Sequence, residues 1–91
     1  MIIEESQPAN SDEKKVLVTF LSQSNYTISF KIYSDTLLHR VGRSFAKYAD
    51  LSPGGMRLMY DGQRFEPNAT PKSLGLADNE VIEVYQEQLS G

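Results

Sequence analysis

The chain has 91 residues, 40% hydrophobic and 10% aromatic, with a formal net charge of -3, which fits one small domain around one core and leaves no room for a second. The acid excess, with a pI near 5.0, argues against a nucleic-acid footprint, since phosphate binding is driven by clustered Lys and Arg that release counterions. The sequence contains no cysteine, so it carries neither a disulfide frame nor a thiol nucleophile, which suits a reducing compartment.

The start, MIIEESQPANSDEKK, has a short apolar opening followed at once by two glutamates and lacks the long apolar stretch of a secretory signal. No later segment approaches the ~20 apolar residues of a membrane span, so a soluble intracellular chain is expected. Residues 1–13 are mostly polar, include a proline and show no period of a strand or helix, and are read as a flexible arm. The domain is expected over residues 14–86, followed by a tail at 87–91.

Two β-rich runs come first, Lys15 to Leu21 and Tyr26 to Tyr33, joined by a Ser/Gln/Asn break. In the second, Ile28, Phe30 and Ile32 fall on one face, with Thr27, Ser29, Lys31 and Tyr33 on the other, as in a hairpin with one buried side. Asp35 or Thr36 offers a helix-capping oxygen. Leu38, Val41, Phe45, Tyr48 and Ala49 then recur at helical spacing, predicting one amphipathic helix that Ser52-Pro53-Gly54-Gly55 stops. Gly42 inside it costs about 1 kcal/mol relative to alanine. Leu58 and Tyr60 precede Asp61-Gly62, a dipeptide suited to a tight hairpin turn. A loop with one helical turn near Pro71 to Leu74 leads to a last strand, Val81 to Tyr85. The order ββαββ predicts an α+β fold, one mixed sheet wrapped over one main helix.

Catalysis finds little support in these residues. His39 is the sole histidine, read as an exposed helical residue, and no second histidine or cysteine exists to build a metal site or nucleophile pair. The carboxylates are dispersed, apart from Glu4-Glu5 and Asp12-Glu13, and solvation explains them better than a paired acid and base. Neither an enzyme, a metal nor a cofactor is expected.

The stretches ISFKIYSDTLLHRVGRSF and MRLMYDGQRFEPNATPKSLGLADNEVIEVYQEQ, with the terminal glycine, resemble the SUMO (small ubiquitin-like modifier) family across residues 15–91. The most specific pieces are the hairpin at Asp61 to Arg64, the turn at Thr70 to Gly75 and the run Val81 to Gln88. The resemblance implies a ubiquitin-like β-grasp fold. It also implies a modifier whose glycine carboxylate, here Gly91, is adenylated, carried as a thioester and joined to a substrate lysine. Glycine suits a narrow enzyme channel because it has no Cβ, and a tail of this length reaches ~17 Å. Ser90 departs from the family's Gly-Gly ending and puts a hydroxymethyl group where that channel is tightest.

Implied partners are the activating and conjugating enzymes, ligases, SUMO proteases, substrate lysines and proteins bearing SUMO-interacting motifs. No nucleic acid, membrane or oligomeric partner is expected, and the chain would be a monomer of nucleus and cytoplasm. Such motifs, aliphatic residues flanked by acids, add as a strand to a sheet edge beside the helix. The matching groove positions are Ile28, Phe30, Lys31, Ile32 and Tyr33 on the strand, with Arg40, Val41, Ser44, Phe45 and Tyr48 on the helix. Tyr33 and Tyr48 stand where the family is usually basic, which weakens acid pairing and adds aromatic contact. Asp61, Gly62 and Glu80 match the family's contact with the back of its conjugating enzyme. Glu13-Lys14-Lys15-Val16 is a reversed acceptor pattern, making Lys15 a candidate for chain formation. The opening MIIEE itself resembles a groove-binding motif, on an arm long enough to fold back. Rival readings are a SUMO-like domain that only binds, and a sulfur-carrier β-grasp protein, which the polar arm and the EVYQEQ strand fit poorly.

Overall fold

The computed structural model describes residues 1–5 and 14–86. Alternation of buried and half-buried residues carries β2, Lys15–Ser22, whose Val16, Val18 and Phe20 face inward, the period that a strand with one packed face requires. Its antiparallel partner β3, Thr27–Tyr33, turns inward Ile28, Phe30 and Ile32, and Val18 lies opposite Phe30 in the register. Strand β6, Glu80–Gln86, runs parallel to β2 and puts Ile82 beside Phe20. Strand β4, Met56–Tyr60, pairs antiparallel with β6 and with the short β5, Gln63–Arg64. Between β4 and β5, Asp61 and Gly62 both have positive φ, 53° and 78°, the geometry that favours Asp-Gly in a two-residue hairpin.

The single long helix, α1, spans Leu38–Ala49 and buries Leu38, Val41, Gly42, Phe45 and Ala46. These recur at helical spacing and form one stripe against the sheet. A short helix α2, Pro71–Leu74, starts with a reciprocal capping box between Thr70 and Ser73, which satisfies two backbone donors at its start. Phe20, packed edge-on to Phe30 with ring centroids 5.4 Å apart and tilted against Phe45 at 5.8 Å, lies at the centre of the core. The result is the expected α+β architecture, a mixed sheet over one main helix.

Three features differ from the sequence reading. Among the described residues the sheet has six strands in the order β1-β3-β2-β6-β4-β5, because Ile2–Glu4, assigned above to an arm without an element, forms β1 and pairs parallel with β3. Its three-residue apolar start is too short to show a period, and pairing to an exposed edge supplies its order instead. The cap of α1 also differs. Leu37 takes the N-cap position without a side-chain cap, Ala69 O accepts the Leu38 N–H at 3.0 Å, and the Thr36 hydroxyl is turned to Glu5. Finally, Tyr33 lies on the outer face of β3 yet is buried, with the Lys15 ammonium over its ring. The remainder of the predicted arm, residues 6–13, and the tail at 87–91 lie outside the described residues.

Gly42 has a packing reason that its helix propensity hides. A Cβ there would meet Leu58 Cδ1 at 2.9 Å and Met56 Cε at 3.3 Å, and Leu58 is itself buried between helix and sheet. Gly42→Ala is therefore expected to be near neutral, a propensity gain of about 1 kcal/mol being offset by the contact. Gly42→Val should cost about 1–3 kcal/mol through overpacking. Urea unfolding of both variants checks this; a Val variant as stable as the parent would mean that the helix is free to move off β4.

Candidate functional site

The outer edge of β3 and the adjoining face of α1 enclose a cleft lined by Phe30, Ile32, Arg40, Val41, Ser44 and Tyr48, together with Ile3, Glu5 and Thr36. Strand alternation brings Phe30 and Ile32 to the helix side, while helical spacing sets Val41, Ser44 and Tyr48 along the facing stripe. Phe30, Ile32 and Val41 are buried and form the floor. Tyr48 is 53% exposed and, with the exposed Arg40 and Ser44, makes the rim.

Four residues that the resemblance assigns to the groove do not line this cleft. Phe45 is 0% and Ile28 1% exposed; both belong to the central core, with Phe45 against Phe20 and Tyr26. Helical and strand periods identify an inward stripe but cannot tell its middle from its margin, and the margin alone reaches the cleft. Lys31 is exposed and registers with Leu17 and Glu4 on the outer face. Tyr33 is likewise on that face, with the Lys15 ammonium 4.9 Å from its ring centroid.

The residues that the sequence reading left out of the groove are Ile3, Glu5 and Thr36, and they come together through β1. Ile2, Ile3 and Glu4 register with Ser29, Phe30 and Lys31. Met1 O accepts the Ser29 N–H at 3.0 Å, and Lys31 O accepts the Glu5 N–H at 2.8 Å. Glu5 Oε1 accepts both the Tyr33 N–H at 3.0 Å and the Thr36 hydroxyl at 2.6 Å. On the other face Lys15 Nζ donates to Glu4 Oε2 at 2.7 Å and to the Glu5 carbonyl at 3.0 Å. The Lys15 ammonium holds the Glu4 carboxyl below the usual carboxylate range, and Glu4 in turn raises Lys15. The available signal was MIIEE itself, an aliphatic pair followed by acids.

Asp61 and Glu80, assigned to the conjugating-enzyme surface, line one shallow cleft with Tyr60, Asn79, Val81 and Glu83. The Tyr60 hydroxyl donates to Glu80, and that bond and burial raise the phenol above its ordinary value. Gly62, in the adjoining turn, does not line that cleft. Ser90 and Gly91, the conjugation residues, lie outside the described residues.

His39 is half-buried, not exposed as read from the sequence, because its ring stands edge-on to Phe65 with centroids 5.5 Å apart. Its buried Nε2 has no hydrogen-bond partner. Burial, then the charge of Arg43, lowers its pKa, so the folded state resists protonation that the unfolded chain accepts. Its contribution is complete above the ordinary histidine value and is lost as pH falls from there toward the depressed one. The stability difference between parent and His39→Gln should therefore shift toward the variant between about pH 7.5 and about pH 5, as read by urea midpoints. A difference that stays constant with pH would show the imidazole to be solvated.

Among the described residues no cluster of three or more His, Cys, Asp or Glu is arranged to hold a metal ion, and no helix is long and apolar enough to cross a membrane. The cleft thus combines an apolar floor, a β3 edge that already carries the short strand β1 and a polar rim, features of a surface suited to strand addition.

Comparison with known proteins bears on the fold and the family. The chain is similar over 88 residues to a Small ubiquitin-related modifier of Caenorhabditis elegans, with 28% identity and 97% of each chain covered. Among solved structures it superposes on a ubiquitin of Caldiarchaeum subterraneum with a TM-score of 0.74 at 18% identity, covering 85% of this chain and 99% of that one. A de novo design based on ubiquitin gives 0.69 at 16% identity, covering 85% and 93%. These two define the fold as a ubiquitin-like β-grasp. Residues 16–86 match the family model described as Ubiquitin-2 like Rad60 SUMO-like, and the chain is therefore a member of the SUMO-like branch of the ubiquitin family.

Proposed function

We propose that this chain is a protein modifier of SUMO type, attached through the Gly91 carboxylate to substrate lysines and read through the cleft between β3 and α1. The observation that carries the proposal is the end-to-end similarity to a Small ubiquitin-related modifier, 97% of both chains. In the reaction the Gly91 carboxylate displaces pyrophosphate from ATP to give an acyl adenylate. An enzyme thiol then displaces AMP, and a lysine amine displaces the thiol to form an isopeptide bond. The chain supplies the acyl group and the recognition surface, while activating and conjugating enzymes, ligases and proteases supply the chemistry.

The cleft reading is supported by what β3 already does, which is to accept a parallel strand with an aliphatic side chain turned toward α1 and acids at its end. A partner motif of aliphatic residues followed by acids matches that chemistry. The surface at Asp61, Gly62 and Glu80 is proposed for the conjugating enzyme, and Lys15 for chain acceptance. The direct test is incubation with ATP and a SUMO activating enzyme, read as a reducible thioester on a nonreducing gel. No thioester from the full chain would favour a SUMO-like domain that binds without being conjugated.

A further inference from the structure

The cleft has an occupant within the same chain. Strand β1 lies along the only β3 edge not paired with β2, with Ile3 beside Phe30 in the register and in the lining of the cleft. Glu5 closes the end of the cleft on the Thr36 hydroxyl and the Tyr33 N–H. Across the strand, Lys15 grips both the Glu4 carboxylate and the Glu5 carbonyl. These groups are the backbone edge, the aliphatic contact and the charge partner that an incoming strand needs.

We propose that β1 is a tethered competitor for this groove: a partner strand binds only after displacing Ile2–Glu4, and Lys15 is the latch that holds them. The inference rests on the groove reading above. Eight residues separate Glu5 from Lys14, so rebinding of β1 is intramolecular, with an effective concentration of order mM for a short tether. The strand itself is short, and Met1, Ile2 and Glu4 are exposed, so it is displaceable. A partner's apparent affinity is reduced in proportion to the fraction of chains with the edge free. Displacement also releases the Lys15 ammonium from both oxygens, which couples groove occupancy to the accessibility of that lysine.

The experiment compares the full chain with full-length Ile3→Asp and Glu5→Ala, both altered outside the central core. Amide hydrogen exchange of Ser29 and Tyr33, which donate to Met1 O and Glu5 Oε1, reports docking of β1 directly. Titration with a synthetic peptide of Val-Ile-Val-Ile followed by Glu-Glu reports the groove. Faster exchange in both variants, with peptide affinity increased roughly 3–10-fold, is the expected result. Equal affinity in parent and variants overturns the competitor while leaving the groove reading intact. Peptide binding by none of the three overturns the groove reading and the competitor with it. Protection of Ser29 and Tyr33 that grows with protein concentration also overturns the proposal, since it would assign the strand to a second copy.

Discussion

Deletion of Gly91 is expected to reduce ATP-dependent thioester formation to background, whereas Ser90→Gly should charge roughly tenfold faster than the parent, about 1.4 kcal/mol of barrier. On the proposed modifier function the carboxylate reaches an enclosed adenylation centre through a passage shaped around backbone, and without the last residue the next carboxyl is displaced by ~3.5 Å. Such a displacement removes the attacking oxygen from reacting distance, where misplacement of even an ångström is costly. The serine differs from glycine by one hydroxymethyl group. It retains the carboxylate's position but brings a Cβ and an oxygen against channel walls, a steric cost of order 1–3 kcal/mol by analogy with overpacked interiors. Single-turnover charging of the parent and both variants separates the cases. If the deletion charges as well as the parent, Gly91 is not the acyl donor. If only Ser90→Gly charges, the tail as it stands is blocked and the noncovalent reading takes over.

Phe45→Ala should destabilise the domain by about 3–5 kcal/mol, a large part of the ~5–15 kcal/mol that holds a small domain together. Phe45 is fully buried, and its ring lies 5.8 Å from Phe20 and 5.9 Å from Tyr26 between centroids. Removing it leaves a void where α1 meets the sheet, and Phe20 on β2 and Tyr26 in the loop after it lose their contact at once. Tyr48→Ala, three residues on and exposed at the rim, is the matched control and should stay within about 0.5 kcal/mol of the parent. Urea unfolding gives both values. A Phe45→Ala loss below about 1 kcal/mol would return this residue to the accessible groove wall that the family resemblance implies.

That pair of residues shows how far the sequence could be read. Helical spacing identified Val41, Phe45 and Tyr48 as neighbours, and they are. Which of them is covered depends on where the sheet ends beneath α1, a quantity no one-dimensional period contains. The hairpin turn was legible because Asp61-Gly62 needs only local backbone geometry, and the same holds for the strand alternation of β2 and β3. The helix start was not, because one of the two oxygens suited to cap it is taken by a distant partner: the Thr36 hydroxyl donates to Glu5, 31 residues away in sequence. His39 misled for a similar reason, since its half-burial comes from Phe65 on another segment.

The sequence by itself determined the class of fold and the family, because alternation, helical period, turn chemistry and the SUMO-like stretches are local patterns written residue by residue. Only the tertiary structure decided that Ile2–Glu4 becomes a strand, that Lys15 bonds both the Glu4 carboxylate and the Glu5 carbonyl, and which residues form the cleft floor. A strand gains its hydrogen bonds from an edge and an ion pair its strength from proximity, and both edge and proximity exist only after the chain has folded.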